Sequence, residues 1–371
     1  MMLRTNNFKD IDTIYKQYKF NPVSHNILKK SEFLKLRQQR ISLFVDHLKL
    51  PIEIFFKKKI IEFGPASGEK SIFYSIWGAN LTVVEPNKKF VKQLKKNFIF
   101  FKKKSKVLKE KIENYKSKKK FDIIILENFL SSTKFKNSNL NKVSKLLNKN
   151  GYLIFNYHNS VGFFNEYLKK FVLSYYLNKH NINDLDKSLS ISKKFFFKYF
   201  KKINHTRSFK KYMLDQFLLN HFLHKTFWDI KKIFEVANLN NLRFYSSNPS
   251  YVSFKDSWYK SIKKNKEFNQ DILLNYYKIE HNFIDDKFKF TDNDKKIILE
   301  IQRLMIKGNE NQNYEEIIKK IIKKISTTNN NKYLILLRKL MKDINPKTFK
   351  AFLEKTSWGY PNHYIVFRKT V

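Results

Sequence analysis

Short apolar runs alternate with amphipathic helical segments between residues 59 and 160, and this alternation predicts an α/β fold built on a parallel sheet. Each apolar run has the length of a buried strand and is followed by polar or turn-forming residues. Residues 88–98 have the spacing of a helix after the second strand. The predicted strands span residues 60–63, 81–85, 106–108, 121–126 and 152–156.

Helical spacing also marks the flanking parts of the chain. Between residues 8 and 50, apolar positions recur every three or four residues until Pro51 ends the pattern. Beyond Gly162, an aromatic stripe recurs at helical spacing, which is typical of a packed core. Paired isoleucines facing lysines over residues 314–325 predict an amphipathic helix that packs on one face. A sixth strand is predicted over 242–246.

These patterns predict one α/β core with helical additions. Residues 1–50 form an N-terminal helical lid or brace, and residues 51–262 form the core together with an aromatic helical segment. Residues 263–355 are a helical insertion. The apolar run within residues 356–371 predicts a C-terminal strand that returns to the core sheet. The insertion therefore separates the last two strands in sequence.

A glycine turn lies between the first predicted strand and the helix that follows it. The turn begins after Glu62 and runs through Gly64 and Gly68, two positions where the backbone can bend tightly and approach a ligand. Glu85 stands at the end of the second predicted strand. An acid at that place accepts hydrogen bonds from the two hydroxyls of a ribose. Together the two signals indicate a cofactor that contains a nucleoside.

The charges around the turn distinguish among such cofactors. The pyrophosphate of a dinucleotide binds at a helix N-terminus that has no acids nearby. Here Glu62 and Glu69 flank the turn, and Ala66 takes the place of a middle glycine. Two carboxylates suit a ligand that carries an ammonium and a sulfonium but no phosphate. S-adenosylmethionine is such a ligand.

At these residues the chain resembles the class I S-adenosylmethionine-dependent methyltransferases. Their first motif runs from an acid through an apolar residue to Gly-x-Gly-x-Gly, and their second strand ends in an acid. Ala66 departs from the middle glycine, and we expect its small side chain to cost little room. The resemblance implies a Rossmann-like methyltransferase sheet, mostly parallel with an antiparallel last strand, and S-adenosylmethionine as cofactor. The implied cofactor residues around the turn and second strand are Glu62, Gly64, Pro65, Ala66, Ser67, Gly68, Glu85 and Pro86.

Residues after the later strands extend this predicted site. In the family, a residue after the third strand contacts the adenine, and Ile112 and Glu113 occupy that region here. Glu127 and Asn128 follow the fourth strand, where ligands of open α/β sheets bind. The family's turn before the fifth strand corresponds to residues 149–151, and we expect Gly151 to supply the left-handed backbone conformation there.

Three polar residues at the end of the fifth predicted strand indicate the acceptor side. Tyr157, His158 and Asn159 lie at the same sheet edge as the predicted cofactor site, and we predict that Tyr157 and Asn159 bind the acceptor. His158 is the best-placed histidine for a general base. The alternative for His158 is a purely structural role at the strand end.

Residues 212–229 resemble a segment of small-molecule methyltransferases that runs from an acid through a loop rich in His and Trp. We predict that Asp215 faces one cavity with His158, where it orients the acceptor or holds the imidazole tautomer, and that His221 and Trp228 bind the acceptor. Alternatively, Asp215 pairs within the helical block. The spacing of His221 and His224 permits a metal, but no third ligand accompanies them, so we predict no metal.

The net charge of +43 is the most unusual property of the composition. Such a charge suggests a polyanion or a membrane surface as partner. However, only eight of the 75 basic residues are arginine, the residue that phosphate and base recognition favours. Abundant Lys, Asn, Ile, Phe and Tyr with seven Gly and seven Pro indicate A+T-rich codon usage. A solvated surface and a genuine polyanion site both remain open.

The sequence contains no cysteine, which excludes disulfides, thiolate metal sites and cysteine nucleophiles. Pyrimidine C5-methylation through a thiolate adduct is excluded with them. No apolar run approaches the ~18 residues of a membrane span, and the N-terminus lacks an apolar signal core. We therefore expect a cytoplasmic protein without membrane insertion.

These observations predict a methyltransferase that acts on a small-molecule or sugar-linked acceptor by in-line methyl transfer. One alternative is an RNA methyltransferase, which the positive charge favours. A second alternative is a scaffold that binds the cofactor without catalysis, because the acid that the family places near the adenine has no clear counterpart here.

Overall fold

The computed structural model describes residues 26–203, 208–219, 223–252, 263–326 and 331–370. These residues form two units, each assembled from separate stretches of chain. The sheet unit contains residues 26–158, 226–252, 263–278 and 362–370. The helical unit contains residues 159–203, 208–219, 223–225, 279–326 and 331–361.

The sheet unit is built on seven strands. In chain order they are β1 (Lys59–Phe63), β2 (Asn80–Val84), β3 (Lys106–Leu108), β4 (Phe121–Leu126), β5 (Leu147–His158), β6 (Leu242–Asn248) and β7 (Asn362–Lys369). Their order in the sheet is β3-β2-β1-β4-β5-β7-β6. Strands β1 to β5 pair in parallel, and β7 pairs antiparallel with both β5 and β6. The predicted Rossmann-like sheet with an antiparallel last strand is thereby confirmed.

The helices lie between these strands and in the helical unit. In chain order they are α1 (Lys30–Ser42), α2 (Ser71–Ile76), α3 (Lys88–Phe100), α4 (Lys136–Ser144), α5 (Phe164–Lys179), α6 (Leu185–Phe200), α7 (Phe209–Met213), α8 (Ile230–Leu239), α9 (Asn265–Ile279), α10 (Asp292–Asn311), α11 (Tyr314–Ser326), α12 (Lys332–Lys342) and α13 (Pro346–Lys355). None of the helices in the described ranges has the length and apolar content that crossing a membrane requires.

The central strands are apolar on both faces because helices cover both sides of the sheet. Four consecutive residues of β4, from Ile123 to Leu126, are fully buried, as are Ile60 and Ile61 of β1. Side-chain caps fix where the flanking helices begin. Asn87 accepts the N–H of Lys89 at the start of α3. Because β1 pairs in parallel with β2 and β4, the carboxyl ends of these strands meet at one edge of the sheet.

The predicted role of Gly151 is wrong. The left-handed residue of the turn is Asn150, with φ +62°, and Gly151 already lies inside β5, which begins at Leu147. A Cβ atom at Gly151 would lie 2.7 Å from the carbonyl oxygen of Asp122 and 2.9 Å from that of Asn148. Glycine therefore serves here to let two backbones approach closely.

The helical unit is held together by aromatic and aliphatic side chains. The predicted aromatic stripe is buried along α5, which packs against α10. The isoleucines of α11 face inward and α11 packs against α10 and α12, which confirms the predicted amphipathic helix. Asn345 caps α13, and Pro346 is the first residue of that helix.

The two units divide the chain differently from the predicted domains. Residues 159–203, 208–219 and 223–225, predicted as part of the core, belong to the helical unit, in which α5 packs on α10. Residues 263–278, predicted as part of the insertion, contribute α9 to the sheet unit. Of the predicted lid, residues 26–50 belong to the sheet unit, and residues 1–25 lie outside the described residues.

Candidate functional site

The glycine loop between β1 and α2 turns back over the ends of two strands. Gly64, Ala66 and Gly68 all have left-handed backbone, with φ values of +65°, +52° and +76°. The N–H of Gly64 donates to the carbonyl of Val84 at 2.9 Å, and the N–H of Gly68 donates to Pro65 at 3.0 Å. The loop therefore brings its backbone to the C-terminal edge of β1 and β2.

Ala66 departs from the family's glycine in a way that the sequence did not reveal. We expected its methyl group to cost little room, but its left-handed φ is the larger consequence. A residue with a Cβ atom costs about 1–2 kcal/mol in this conformation. The N–H of Ala66 donates to Oε2 of Glu85 at 3.0 Å, so a charge-assisted hydrogen bond helps to hold the loop in this shape.

Glu85 follows directly after β2 and is 5% exposed. Its Oε2 accepts the N–H of Ala66, and its Oε1 accepts the N–H of Asn87 at 2.9 Å. Its own N–H donates to the carbonyl of Leu108 at the end of β3. The structure therefore brings together the two sequence signals, the glycine loop and the acid after the second strand.

Glu62 lies within β1 below the loop and is almost fully buried. The hydroxyl of Ser71 donates to its Oε2 at 2.5 Å. Burial raises the pKa of Glu62 to about 7, although the Ser71 hydrogen bond acts in the opposite direction. Near neutral pH the Glu62 carboxyl is therefore partly protonated.

The raised pKa of Glu62 predicts a pH dependence of stability. The folded protein binds this proton more tightly than the unfolded chain, so the stabilisation is present below pH 4.5 and is lost as the pH rises towards 7. The loss is on the order of 3 kcal/mol. Urea unfolding at several pH values should show that Glu62→Gln removes this part of the pH dependence. Wild-type and variant curves of the same slope between pH 4.5 and 7 would contradict it.

A buried ion-pair network surrounds Glu127, the residue after β4. Arg40 donates to both carboxylate oxygens, from Nη1 at 2.9 Å and from Nη2 at 2.5 Å. Lys70, Tyr74 and Tyr364 also donate to this carboxylate, at 2.9, 2.8 and 3.2 Å. Burial alone would raise the pKa of Glu127, but the charges of Arg40 and Lys70 hold it far below its usual value. Glu127 is therefore ionised, and its predicted cofactor contact stays a prediction.

The sequence did not identify Arg40 as part of the site, although one signal was present. Leu36, Arg40 and Phe44 recur at intervals of four, and all three are buried. An arginine within an apolar helical stripe needs a carboxylate partner in the interior. The pattern therefore predicts a buried ion pair but does not identify the carboxylate that pairs with Arg40.

The chain after β4 covers the glycine loop. The N–H of Asn128 donates to Oδ1 of Asn156 at 2.6 Å, and Nδ2 of Asn156 donates back to Oδ1 of Asn128 at 2.7 Å. This reciprocal pair ties the end of β4 to β5. The next residue, Phe129, lies against Gly64, where an added Cβ would approach its Cγ to 2.5 Å. Asn156 was not among the predicted site residues.

Gly64→Ala should therefore disturb the loop itself. The variant combines a left-handed φ of +65° with the close approach to Phe129, and we expect cofactor affinity to fall at least about tenfold. Gly78→Ala is a matched control, because its φ is +88° and its added Cβ would also meet a phenylalanine, the exposed Phe56, at 2.5 Å. Calorimetric titration with S-adenosylhomocysteine measures both. Equal affinity in the two variants would refute the assignment of the loop.

Other predicted cofactor residues lie around the same edge. Ile112 is buried, and its carbonyl accepts a hydrogen bond from Lys142 of α4 at 3.1 Å. Glu113 accepts from Asn139 of α4 at 3.1 Å. The carbonyl of Ser67 accepts from Asn97 of α3 at 2.8 Å. These contacts fix the backbone around the edge, and the adenine contacts of Ile112 and Glu113 stay predictions.

His158 ends β5 and is held from three sides. Its Nδ1 lies 2.5 Å from Oγ1 of Thr226, and its N–H donates to Oγ of Ser131 at 3.2 Å. Its carbonyl accepts the N–H of Trp228 at 3.1 Å. Trp228 is buried, and its Nε1 donates to Asn137 at 2.8 Å. The side chain of Trp228 therefore packs in the core. These contacts do not support its predicted contact with the acceptor, which stays a prediction.

Tyr157 precedes His158 and points to the opposite face of the sheet, because successive residues of a strand alternate. It is fully buried, and its hydroxyl lies 3.0 Å from that of Tyr251. The Tyr251 hydroxyl lies 2.5 Å from Nδ1 of His363. The predicted acceptor contact of Tyr157 stays a prediction, since the side chain occupies the core.

Asn159 and Asp215 belong to the helical unit. Asn159 accepts the N–H of Gly162 through Oδ1 at 2.8 Å and so shapes the turn before α5. Asp215 is 3% exposed within the π-helical turn Leu214–Leu218, and its Oδ2 accepts from Gln216 at 2.8 Å. His158 belongs to the sheet unit, so its predicted joint action with Asp215 stays a prediction.

His221 lies outside the described residues, and its predicted acceptor contact is untested. His224 contacts Glu310, with 3.2 Å between Nε2 and Oε1. Burial lowers the pKa of His224. Within the described ranges, no group of three His, Asp or Glu side chains is arranged to hold a metal ion.

A family model described as a methyltransferase domain matches residues 33–242, more than half of the chain. The match includes the glycine loop, Glu85, Glu127 and His158. This chain therefore belongs to that methyltransferase family. The match confirms the predicted class, the S-adenosylmethionine-dependent methyltransferases, and S-adenosylmethionine as cofactor.

Comparison with solved structures gives matches of low identity and low TM-score. TehB from Haemophilus influenzae is 16% identical with a TM-score of 0.26, over 28% of this chain and 37% of that chain. An S-adenosylmethionine-dependent methyltransferase from Clostridium acetobutylicum has the same identity, TM-score and coverage of this chain, and 43% of its own length is covered. The PH0226 protein from Pyrococcus horikoshii is 15% identical with a TM-score of 0.33, over 40% of this chain and 68% of that chain.

The alignments span less than half the length of the first two of these structures. No curated protein matches the sequence.

The residues at the edge of the sheet fit S-adenosylmethionine. The loop leaves no room for a Cβ atom at Gly64, next to Phe129, or at Gly68, where it would lie 2.8 Å from Cγ of Leu94. Residues 64–68 include no basic side chain that would favour a pyrophosphate. The acid expected to bind a ribose is hydrogen-bonded to the loop through Ala66. Close backbone approach and a neighbouring carboxylate are the two features that the cofactor needs.

Proposed function

We propose that this protein transfers the methyl group of S-adenosylmethionine to a small-molecule or sugar-linked acceptor. The observation that carries the proposal is the hydrogen bond of 3.0 Å between Ala66 of the left-handed loop and the Glu85 carboxylate. It joins the cofactor loop to the ribose-binding acid in a chain of the methyltransferase family. The cytoplasmic location expected from the sequence is part of the proposal.

When bound, the cofactor would supply a methyl group on a sulfonium for in-line attack by an oxygen, nitrogen or carbon of the acceptor, with S-adenosylhomocysteine as the leaving group. The chain contributes chiefly alignment of the reacting groups. Glu85 would accept hydrogen bonds from the ribose hydroxyls, and the backbone of residues 64–68 would hold the cofactor beside it. Lys70 lies shortly after the loop and is tied to the buried Arg40–Glu127 pair, so the loop rests on a rigid base.

On the acceptor side, we assign His158 as the general base for acceptors that must lose a proton early. Support comes from its position at the end of β5, at the carboxyl edge of the sheet, and from the Thr226 contact that fixes the orientation of its ring. Asp215 is proposed to orient the acceptor. His158 belongs to the sheet unit and Asp215 to the helical unit, and each can be substituted without changing the other. The two assignments are therefore tested separately.

The test is a turnover screen with S-adenosylmethionine labelled on its methyl group. The purified protein is incubated with a fractionated metabolite extract that contains sugar-linked compounds, and with an RNA fraction. We expect label to appear in the small-molecule fractions and to decrease with Glu85→Ala when the cofactor concentration is below saturation. Label confined to RNA would refute the acceptor class. Cofactor binding without turnover in any fraction would indicate a non-catalytic scaffold instead.

Once an acceptor is found, His158→Ala and Asp215→Ala test the two assignments. Loss of a working general base should lower the turnover rate about 10²-fold or more. For His158, the loss should also change the pH profile of the rate, which a purely structural defect would not do. Full turnover in either variant would remove that residue from the proposed mechanism.

A further inference from the structure

Lysines are concentrated at one edge of the sheet unit. Residues 86–120 contain fifteen lysines and only two acids, Glu110 and Glu113. This stretch forms α3, β3 and their connections, and β3 is the edge strand of the sheet. This stretch of 35 residues therefore carries +13 of the net charge of +43, a higher density of positive charge than the rest of the chain has on average.

Helix α3 shows how this edge is organised. One face packs inward through Val91, Leu94, Asn97 and Phe98. The exposed lysines of the helix are Lys88, Lys89, Lys92, Lys95 and Lys96. The helix has no acid, and among the described residues no carboxylate forms an ion pair with any lysine of residues 86–120.

Helix α11 provides a contrast within the same chain. It also exposes several lysines, but Lys320 pairs with Glu316 and Lys324 pairs with Glu300. Its charge is therefore partly neutralised by its own neighbours. The lysines of α3 have no such compensation and generate a positive potential at the sheet edge.

Two large apolar side chains are exposed at the C-terminal end of α3. Ile99 is 76% exposed and Phe100 is 58% exposed, and the nearest lysines in sequence are Lys96 before them and Lys102 after them. The neighbouring Phe101 instead stacks on Phe33, with ring centroids 5.2 Å apart. An exposed apolar pair beside uncompensated lysines is the pattern of a surface that enters the boundary of a lipid bilayer.

The side-chain types favour lipid over nucleic acid. Of the two exposed apolar side chains, only Phe100 has a ring that can stack on a base, and residues 86–120 contain no arginine, which offers the planar fork for phosphates and bases. Lysine acts as a point charge that attracts anionic headgroups within a Debye length. Both the aliphatic side chain and the choice of lysine therefore suit a bilayer.

We propose that a basic α3 surface, consisting of the exposed lysines of α3, Lys102 to Lys104, Ile99 and Phe100, docks the protein on an anionic membrane. The lysines meet the headgroups, and the two apolar side chains enter the interface between headgroups and acyl chains. The attachment is peripheral and reversible. It does not depend on the proposed methyl transfer, and its test needs no cofactor or acceptor.

The charge component is tested by sedimentation with vesicles of phosphatidylcholine, alone or with about 30% phosphatidylglycerol. We expect the full chain to bind only the anionic vesicles, because each lysine near the surface contributes about a fivefold factor in affinity. Lys92→Glu with Lys96→Glu should weaken binding at least about tenfold. The control is Lys319→Glu with Lys323→Glu on α11, a pair with the same spacing, exposure and change in charge. Equal loss in both pairs would overturn the assignment to α3.

The apolar component is tested with Ile99→Ser and Phe100→Ser together. These changes should remove the part of vesicle binding that survives at about 0.5 M salt, where exposed charges are screened. Leu239→Ser is the control, since Leu239 is 80% exposed at the end of α8. Absence of binding to anionic vesicles at low salt would overturn the proposal. Binding to single-stranded RNA, but not to vesicles, that the α3 variants abolish would identify the surface as a nucleic-acid site instead.

Discussion

Arg40→Met is expected to lower the free energy of unfolding by about 3–5 kcal/mol, because it leaves the buried Glu127 carboxylate without its principal partner. Arg40 donates hydrogen bonds to both oxygens of this carboxylate, and both residues are nearly inaccessible to solvent. Lys70, at 31% side-chain exposure, is a weaker substitute. Methionine keeps much of the packing volume, so the loss reports the uncompensated charge rather than a cavity.

Urea unfolding of the purified protein measures this loss. Arg37→Met is the matched control, since Arg37 is exposed one turn earlier on α1 and should change stability by less than about 0.5 kcal/mol. Arg40→Met combined with Glu127→Gln should recover much of the loss, because the buried charge is then absent. A double variant no more stable than Arg40→Met would show that the cost arises from packing.

Glu85→Ala should weaken cofactor binding by about 1–3 kcal/mol, the cost of removing a charged hydrogen-bond partner. The variant loses the expected acceptor for the ribose hydroxyls and also the oxygens that hold Ala66 and Asn87. Glu85→Gln keeps one side-chain acceptor oxygen and should fall between wild type and Glu85→Ala. The measurement is calorimetric titration with S-adenosylhomocysteine.

Glu110→Ala provides the control for this titration, since Glu110 is a partly exposed acid near the same sheet edge. Its affinity should equal that of the wild type. Unfolding curves check that the Glu85 variants remain folded. A folded wild-type protein that fails to bind at about 1 mM would remove the cofactor assignment, whereas unchanged affinity in Glu85→Ala would remove only Glu85 from it.

The parts of the site that the sequence predicted are those set by local backbone geometry. A turn that needs left-handed residues calls for glycine at fixed positions, so Gly64 and Gly68 are visible in the sequence. Glu85 stands out because a strand end can be predicted within a residue or two. The Arg40–Glu127 pair spans 87 positions and no local rule links its members. Only the fold brings the partners together.

Residues at strand ends show a second reason why only part of the site could be predicted from the sequence. Tyr157 and His158 are neighbours in sequence, but the alternation of β5 turns one into the core and leaves the other half-buried at the sheet edge. The Asn150-Gly151 turn is a similar case, because either residue can adopt a left-handed conformation. In the structure, Asn150 adopts the left-handed conformation, because glycine is needed at position 151, where two backbones approach closely.

The domain boundaries were hard to predict because both units are assembled from separate stretches of chain. Hydrophobic periodicity shows that α5 and α9 are helices with buried faces. It does not show whether the partner of such a face is a sheet or another helix. The assignment of α5 to the helical unit depends on its packing against α10, which begins at Asp292.

The position of β7 has a consequence for synthesis on the ribosome. Strand β6 ends at Asn248, but β7, the strand to which it pairs in the sheet, begins only at Asn362. At a translation rate of about 5–20 residues per second, β6 waits roughly 6–23 seconds with both edges exposed. The outer edge of β5 stays open for longer, since β5 already ends at His158. The nascent chain therefore passes through a state that chaperones can recognise and that is prone to pair with other chains, until the C-terminal strand is inserted between its neighbours.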